Sequence, residues 1–142
     1  MRLLVDINVA LDVILERDPW VTEGALLFSA IQEGRAEGYL AGHTIPTIHY
    51  IVRENRRDRA VADAAVGKLL RIFTVVAAEN AELHQALAFG FPDFEDAVQA
   101  SCAAKVNADW IVTRNTRDFK KCPVACKPPG AVLAAIRANE ES

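Results

Sequence analysis

Carboxylates stand in this chain at the places where the local pattern changes. Asp6 ends the apolar run Leu3-Leu4-Val5 and is followed by Ile7-Asn8-Val9-Ala10-Leu11-Asp12. Asp93, Glu95 and Asp96 open a helical stretch, and Asp118 follows Trp110-Ile111-Val112-Thr113 in Arg114-Asn115-Thr116-Arg117-Asp118-Phe119. Each acid has a structural explanation by itself. Asp6 can cap the turn into a helix, Asp93 can be an N-cap, Glu95 and Asp96 can favour the helix dipole at ~0.3 to 1 kcal/mol each, and Asp118 can be a turn residue. Gathered at one rim they would repel, and a shared cation would offset that repulsion. Oxygen ligands alone point to Mg2+ or Mn2+, because no Cys/His grouping has zinc spacing.

Other reactive residue types carry less. His43, just past a short strand, either reaches the same rim or is a bystander, and His49 and His84 lie in helical stretches without a partner at metal spacing. Ser29 and Ser101 lack the strand-turn-helix elbow of a serine nucleophile, and no glycine-rich phosphate loop is present. Asp6 as a phosphoacceptor is disfavoured, because Asn8 stands where a haloacid-dehalogenase-type phosphatase needs a second aspartate and no early acidic pair of the receiver kind exists.

The elements that must position these groups follow from periodicity. An apolar strand ends at Asp6, and Asn8, a favourable N-cap, opens a helix to about Arg17. Asp18 as N-cap with Pro19 at the first helical position predicts a second helix to Glu33, closed by Gly34. Gly38-Tyr39-Leu40-Ala41 reads as a strand, and a helix from about Thr44 to Arg56 tolerates Pro46 in its first turn. The run Arg53-Glu54-Asn55-Arg56-Arg57-Asp58-Arg59 is either a phosphate-contacting rim or a solvated helix joint. Asp58 can cap the next helix, which carries Val61, Ala65, Leu69 and Ile72 on one face. Phe73-Val76 reads as a third strand, Glu79–Phe89 as a helix closed by Gly90, and the stretch from Phe91 to about Asn107 as another. Trp110-Thr113 and Pro123-Val124-Ala125 are the fourth and fifth strands, and a helix on Val132, Leu133 and Ile136 ends the chain.

Strands that alternate with helices and carry apolar runs predict an α/β fold. It is a three-layer domain, with a central parallel sheet of four to five strands and helices on both faces. In such a fold a helix that feeds a strand starts at the sheet's carboxyl edge. Asp93, Glu95 and Asp96 in that helix's first turn, Asp6 at the first strand's end and Asp118 past the fourth would share this rim.

The chain's 142 residues, 51% hydrophobic, suit one domain over 1–138 with a polar tail at 139–142. No apolar run reaches the ~18 residues of a membrane span and no signal peptide is evident, so the expected location is the cytoplasm. A net charge of −3 argues against a surface that holds nucleic acid by basic residues, but not against an acidic pocket in which a metal meets the phosphate. Three cysteines make no disulfide framework. Cys122 and Cys126, if on one extended segment, would be about 13 Å apart and unable to bridge, so reduced, mostly buried thiols are expected.

Leu4-Val5-Asp6-Ile7-Asn8-Val9-Ala10-Leu11-Asp12, Asp93-Phe94-Glu95-Asp96-Ala97 and Ile111-Val112-Thr113-Arg114-Asn115-Thr116-Arg117-Asp118-Phe119 together resemble, in order and spacing, the signatures of PIN-domain ribonucleases, and within them the VapC-type toxins of toxin-antitoxin pairs. The resemblance covers nearly the whole chain. It implies a PIN fold, metal-dependent endoribonuclease activity on RNA, frequent homodimers and a cognate antitoxin. The family's aspartates match Asp6, Asp96 with Asp93 beside it, and Asp118; its Thr-x-Asn matches Thr113 and Asn115; Asn8 supports Asp6. The family's glutamate after the second strand has no acidic counterpart in His43-Thr44-Ile45-Pro46-Thr47-Ile48-His49-Tyr50, where Thr47 is the nearest match. A non-catalytic PIN-like module that binds RNA or a protein is therefore the alternative. Asp12 is placed either to lend a supporting contact to the site or as an exposed helix acid.

Overall fold

A computed structural model describes all residues from Met1 to Ser142. Five strands, β1 (Arg2–Val5), β2 (Glu37–Ala41), β3 (Thr74–Val76), β4 (Trp110–Val112) and β5 (Cys126–Lys127), form one sheet in the order β3-β2-β1-β4-β5. Every pairing is parallel, with Leu4 opposite Tyr39 in β2 and Ile111 in β4. Seven helices complete the chain: α1 (Ile7–Ile14), α2 (Val21–Gln32), α3 (Thr44–Arg56), α4 (Arg59–Ile72), α5 (Asn80–Phe89), α6 (Phe94–Lys105) and α7 (Pro129–Glu141).

The two-residue period of the strands divides the core. Leu3, Val5, Leu40 and Val112 join one apolar cluster with residues of α1, α2, α3, α4 and α7, while Leu4, Ala41 and Ile111 join a second with α5 and α6. Side chains alternate between two covered faces, so the strands must read as unbroken apolar runs. This is the expected three-layer α/β architecture. The chain builds β2 and β3 on one side of β1, then crosses to build β4 and β5 on the other. The carboxyl ends of β1 and β4 thus flank the point where the winding reverses, where such sheets leave a crevice for ligands.

Several local expectations change. Helix α1 starts at Ile7, so Asp6 rather than Asn8 is its N-cap, and the Asp6 side chain makes no cap hydrogen bond. The carboxylate is drawn inward by residues more than ninety positions away, which no local propensity contains. Helix α2 starts at Val21, not at Pro19; Asp18-Pro19 is a cis peptide within a turn. Trp20 there lies against the Arg114 guanidinium, 4.0 Å from its ring centroid, a long-range contact that overrides the capping signal. Phe73 is not in β3: it is the buried C-cap of α4, packed edge to face on Phe28 at 5.0 Å. The fifth strand is Cys126–Lys127 instead of 123–125, because pairing with Ile111 and Val112 sets its register.

The charged run after α3 is a solvated joint. Arg57 takes the left-handed conformation at the helix end, and Arg53 and Arg59 pair with Glu54 and Asp63 at 3.5 and 3.6 Å. Cys122 and Cys126 do not lie on an extended segment: Val124 N donates to Cys122 Sγ at 3.4 Å, so the chain folds back between them and both are only half-buried. No helix is long and apolar enough to cross a membrane.

Candidate active site

Asp6 leaves β1 through a 2.9 Å bond from its N–H to the Val112 carbonyl of β4, so the start of α1 is pinned at the reversal point. Its side chain is only 2% exposed. Gln99 Nε2 donates to Oδ1 at 2.9 Å and Thr113 Oγ1 donates to Oδ2 at 3.0 Å. Burial pushes the Asp6 carboxyl above its ordinary range, and the bonds from Gln99 and Thr113 and the backbone amides of Ile7 and Asn8 oppose that rise. Thr113 Oγ1 also accepts from the Asn115 N–H at 3.0 Å, which bends the chain after β4 into the 3-10 turn Thr116–Phe119 that carries Asp118.

Helix α6 supplies the facing wall. Asp93 is its N-cap as expected, accepting from the Asp96 N–H at 3.2 Å. Asp96 is one turn before Gln99 on the same face, and Gln99 touches Asp6, so the first turn of α6 overhangs the end of β1. Asp93, Asp96 and Asp118 line one open cleft with Pro92. The Asp96 carboxyl is raised to about 7, first by burial and then by the charges of Asp93, Asp6, Asp118 and Glu95. No basic side chain forms an ion pair with any of these five acids.

The four sequence-selected aspartates are thus brought to one rim, Asp6 beneath and the other three around the cleft. They do not converge into a tight cage: no three carboxylate, imidazole or thiol groups stand at direct-ligand spacing. The donor set fits a hard divalent ion that keeps several waters and is met by a few carboxylates, as Mg2+ is. Thr47 makes no hydrogen bond to these acids. Thr44, one turn earlier on α3, spends its hydroxyl on the Ala41 carbonyl at 2.6 Å. His43 does reach the rim, through a 3.2 Å contact between Nε2 and the Glu95 carbonyl, and burial lowers its pKa.

One group beside the site, Gln99, escapes a reading of the sequence alone, and for another, Asp12, the sequence leaves two readings open. Gln99 is 1% exposed and also accepts from the Ile7 N–H at 3.1 Å; its only signal is a lone amide in the small-residue run Ala97-Val98-Gln99-Ala100. Asp12 is not an exposed helix acid but 2% exposed, held by Arg114 at 2.9 and 3.4 Å and by Arg17 at 3.5 Å. Arg114 lies between Thr113 and Asn115, so this pair clamps the segment after β4 onto α1.

A parallel sheet with this reversal point and an acidic cleft on its carboxyl edge defines a three-layer α/β domain whose candidate site lies at the switch point. The PIN domain family matches residues 2–117, and the chain belongs to that family. No curated protein matches the chain. Among solved structures, a chain of VapBC2 from Rickettsia felis, bound to a DNA fragment from their promoter, is similar with a TM-score of 0.68 at 15% identity, over 90% of this chain and 98% of that one. The PAE2754 protein of Pyrobaculum aerophilum is similar with a TM-score of 0.66 at 21% identity, over 97% of this chain and 90% of that one. At such identities the likeness speaks to the fold.

Proposed function

We propose that the protein is a metal-dependent endoribonuclease that hydrolyses RNA phosphodiester bonds, acting in the cytoplasm as the VapC-type toxin of a toxin-antitoxin pair. The observation that carries this reading is the crowding of Asp93, Asp6, Asp118 and Glu95 around Asp96 with no basic partner, at the crevice a PIN domain presents. Asp6, Asp96 and Asp118, with Asp93 beside them, would hold Mg2+ or Mn2+, in part through water. The bound ion supplies charge neutralisation at the phosphate and lowers the pKa of a coordinated water. Gln99 and Thr113 hold both oxygens of Asp6 in place, and the Thr113–Asn115 turn presents Asp118. The open rim suits single-stranded or loop RNA, whose backbone can approach it. The likeness to VapBC2 supports a cognate antitoxin as partner. Leu83, Leu87 and Phe94, exposed by 37%, 68% and 46%, support burial against a further chain, such as a homodimer's second copy.

Cleavage of a single-stranded RNA with and without Mn2+ tests the activity. The wild-type protein cleaves only with metal, and Asp6→Asn and Asp96→Asn abolish cleavage while keeping the native circular dichroism; full activity in either variant removes the assignment. The lack of an acid on the first turn of α3 favours a second reading, a PIN module that binds RNA or protein without turnover. Calorimetry separates them: no Mn2+ binding at millimolar concentration selects the second.

A further inference from the structure

Beside the carboxylate cleft the fold brings two free cysteines onto the same short stretch of backbone. Cys122 and Cys126 are free and half-buried, whereas Cys102 is buried, its thiol 3.9 Å from the Val76 carbonyl and pushed up to about 11 by burial. Cys122 N–H donates to the Phe119 carbonyl at 3.0 Å, and Cys122 Sγ accepts from Val124 N–H at 3.4 Å. Cys126 Sγ lies 4.0 Å from that Phe119 carbonyl and 3.8 Å from the Val124 carbonyl. Both cysteines are therefore anchored on the same two residues, Phe119 and Val124.

We propose that Cys122 and Cys126 form a peroxide-reactive dithiol that closes into an intramolecular disulfide and thereby ties the Asp118-bearing turn to β5. Val124 N–H donates to Cys122 Sγ at 3.4 Å and favours its thiolate, whereas the Cys126 thiol faces the Phe119 and Val124 carbonyls, which hold its proton. Cys122 is accordingly the attacking sulfur. Its thiolate displaces hydroxide from hydrogen peroxide, the O–O bond breaks, and Cys122 becomes a sulfenic acid. The Cys126 sulfur then attacks Cys122, the S–O bond breaks, and the oxygen leaves as water with the Cys126 proton. Two thiols are oxidised and one peroxide is reduced to two waters.

The bridge would restrain a specific piece of chain. Cys126 is fixed by pairing with Ile111 of β4, and Phe119 by burial against Phe91, ring centroids 6.0 Å apart. Between them the stretch from Cys122 to Val124 packs partly buried against the second apolar cluster and is otherwise held by single hydrogen bonds. A ring this short adds little global stability, so its effect is on local opening.

The test uses the full reduced chain, treated with hydrogen peroxide, blocked with iodoacetamide and mapped by peptide mass spectrometry. The expected product lacks two hydrogens across Cys122–Cys126, leaves Cys102 as a thiol and reverts with dithiothreitol. Cys126→Ser stops at a Cys122 sulfenic acid trapped by dimedone. Amide exchange of residues 116–122 slows by several-fold in the bridged form. Alkylation of both cysteines after peroxide, or a bridge only between two copies, overturns the proposal; so does a bridge that leaves exchange at 116–122 unchanged. Every readout is independent of metal binding and RNA cleavage, so failure of the nuclease reading leaves this result standing.

Discussion

Gln99 Nε2 donates a 2.9 Å hydrogen bond to Oδ1 of Asp6, and the same amide accepts from the N–H of Ile7 at 3.1 Å. One side chain on α6 thus satisfies both the carboxylate at the end of β1 and the first orphan donor of α1. Gln99→Leu, similar in size, removes both bonds and leaves the buried Asp6 carboxylate with the Thr113 hydroxyl on Oδ2 but no side-chain donor on Oδ1. The expected loss is about 2 to 3 kcal/mol in urea unfolding with an unchanged m-value. A loss below 0.5 kcal/mol would mean that water replaces the amide.

Asp12 and Arg114 predict a second, separable effect. Breaking a buried ion pair from one side costs about 3 to 5 kcal/mol, but Arg17 stays 3.5 Å from Asp12 and Arg114 is a quarter exposed, so Arg114→Ala is expected to cost about 2 kcal/mol. In a double-mutant cycle, Asp12→Ala with Arg114→Ala costs less than the sum of the single changes. Strict additivity would show that the pair is not coupled in solution.

The crowding of Asp96 sets a pH dependence. Its folded pKa, about 7, lies above that of the unfolded chain, so the folded state binds the proton more tightly. The resulting stabilisation is complete below the unfolded carboxylate range and is lost as pH rises through about 7. His43, lowered by burial, acts in the opposite sense below its ordinary 6.5, so the effect of Asp96 is read above that pH. Without metal, the thermal midpoint should fall between pH 6.5 and 8, and Asp96→Asn should flatten the decline. An equal slope in the variant assigns the pH dependence elsewhere.

Thr47→Glu tests the missing acid. His43, one turn earlier, already reaches α6, so a carboxylate on the first turn of α3 adds a hard ligand near the rim. Mn2+ affinity is expected to rise several-fold by calorimetry, and the benefit should vanish in Asp96→Asn. Unchanged affinity places Thr47 outside reach of the metal.

The layered α/β class, the order of strands and helices, Asp93 as a cap and the acidic groups at Asp6, Asp96 and Asp118 are all legible from local sequence. Apolar period, capping chemistry and the rule that helices feeding strands begin at the carboxyl edge act over a few residues each. What needed the folded chain is which groups meet across long separations. Gln99 on Asp6, Arg114 on Asp12, Trp20 on Arg114 and Cys122 beside Cys126 carry no periodic signature, because each depends on the paths of segments that only packing brings together. For the same reason the Asp18-Pro19 capping signal lost to a turn and the fifth strand slid to Cys126: a local preference of about 1 kcal/mol yields to a buried contact worth more.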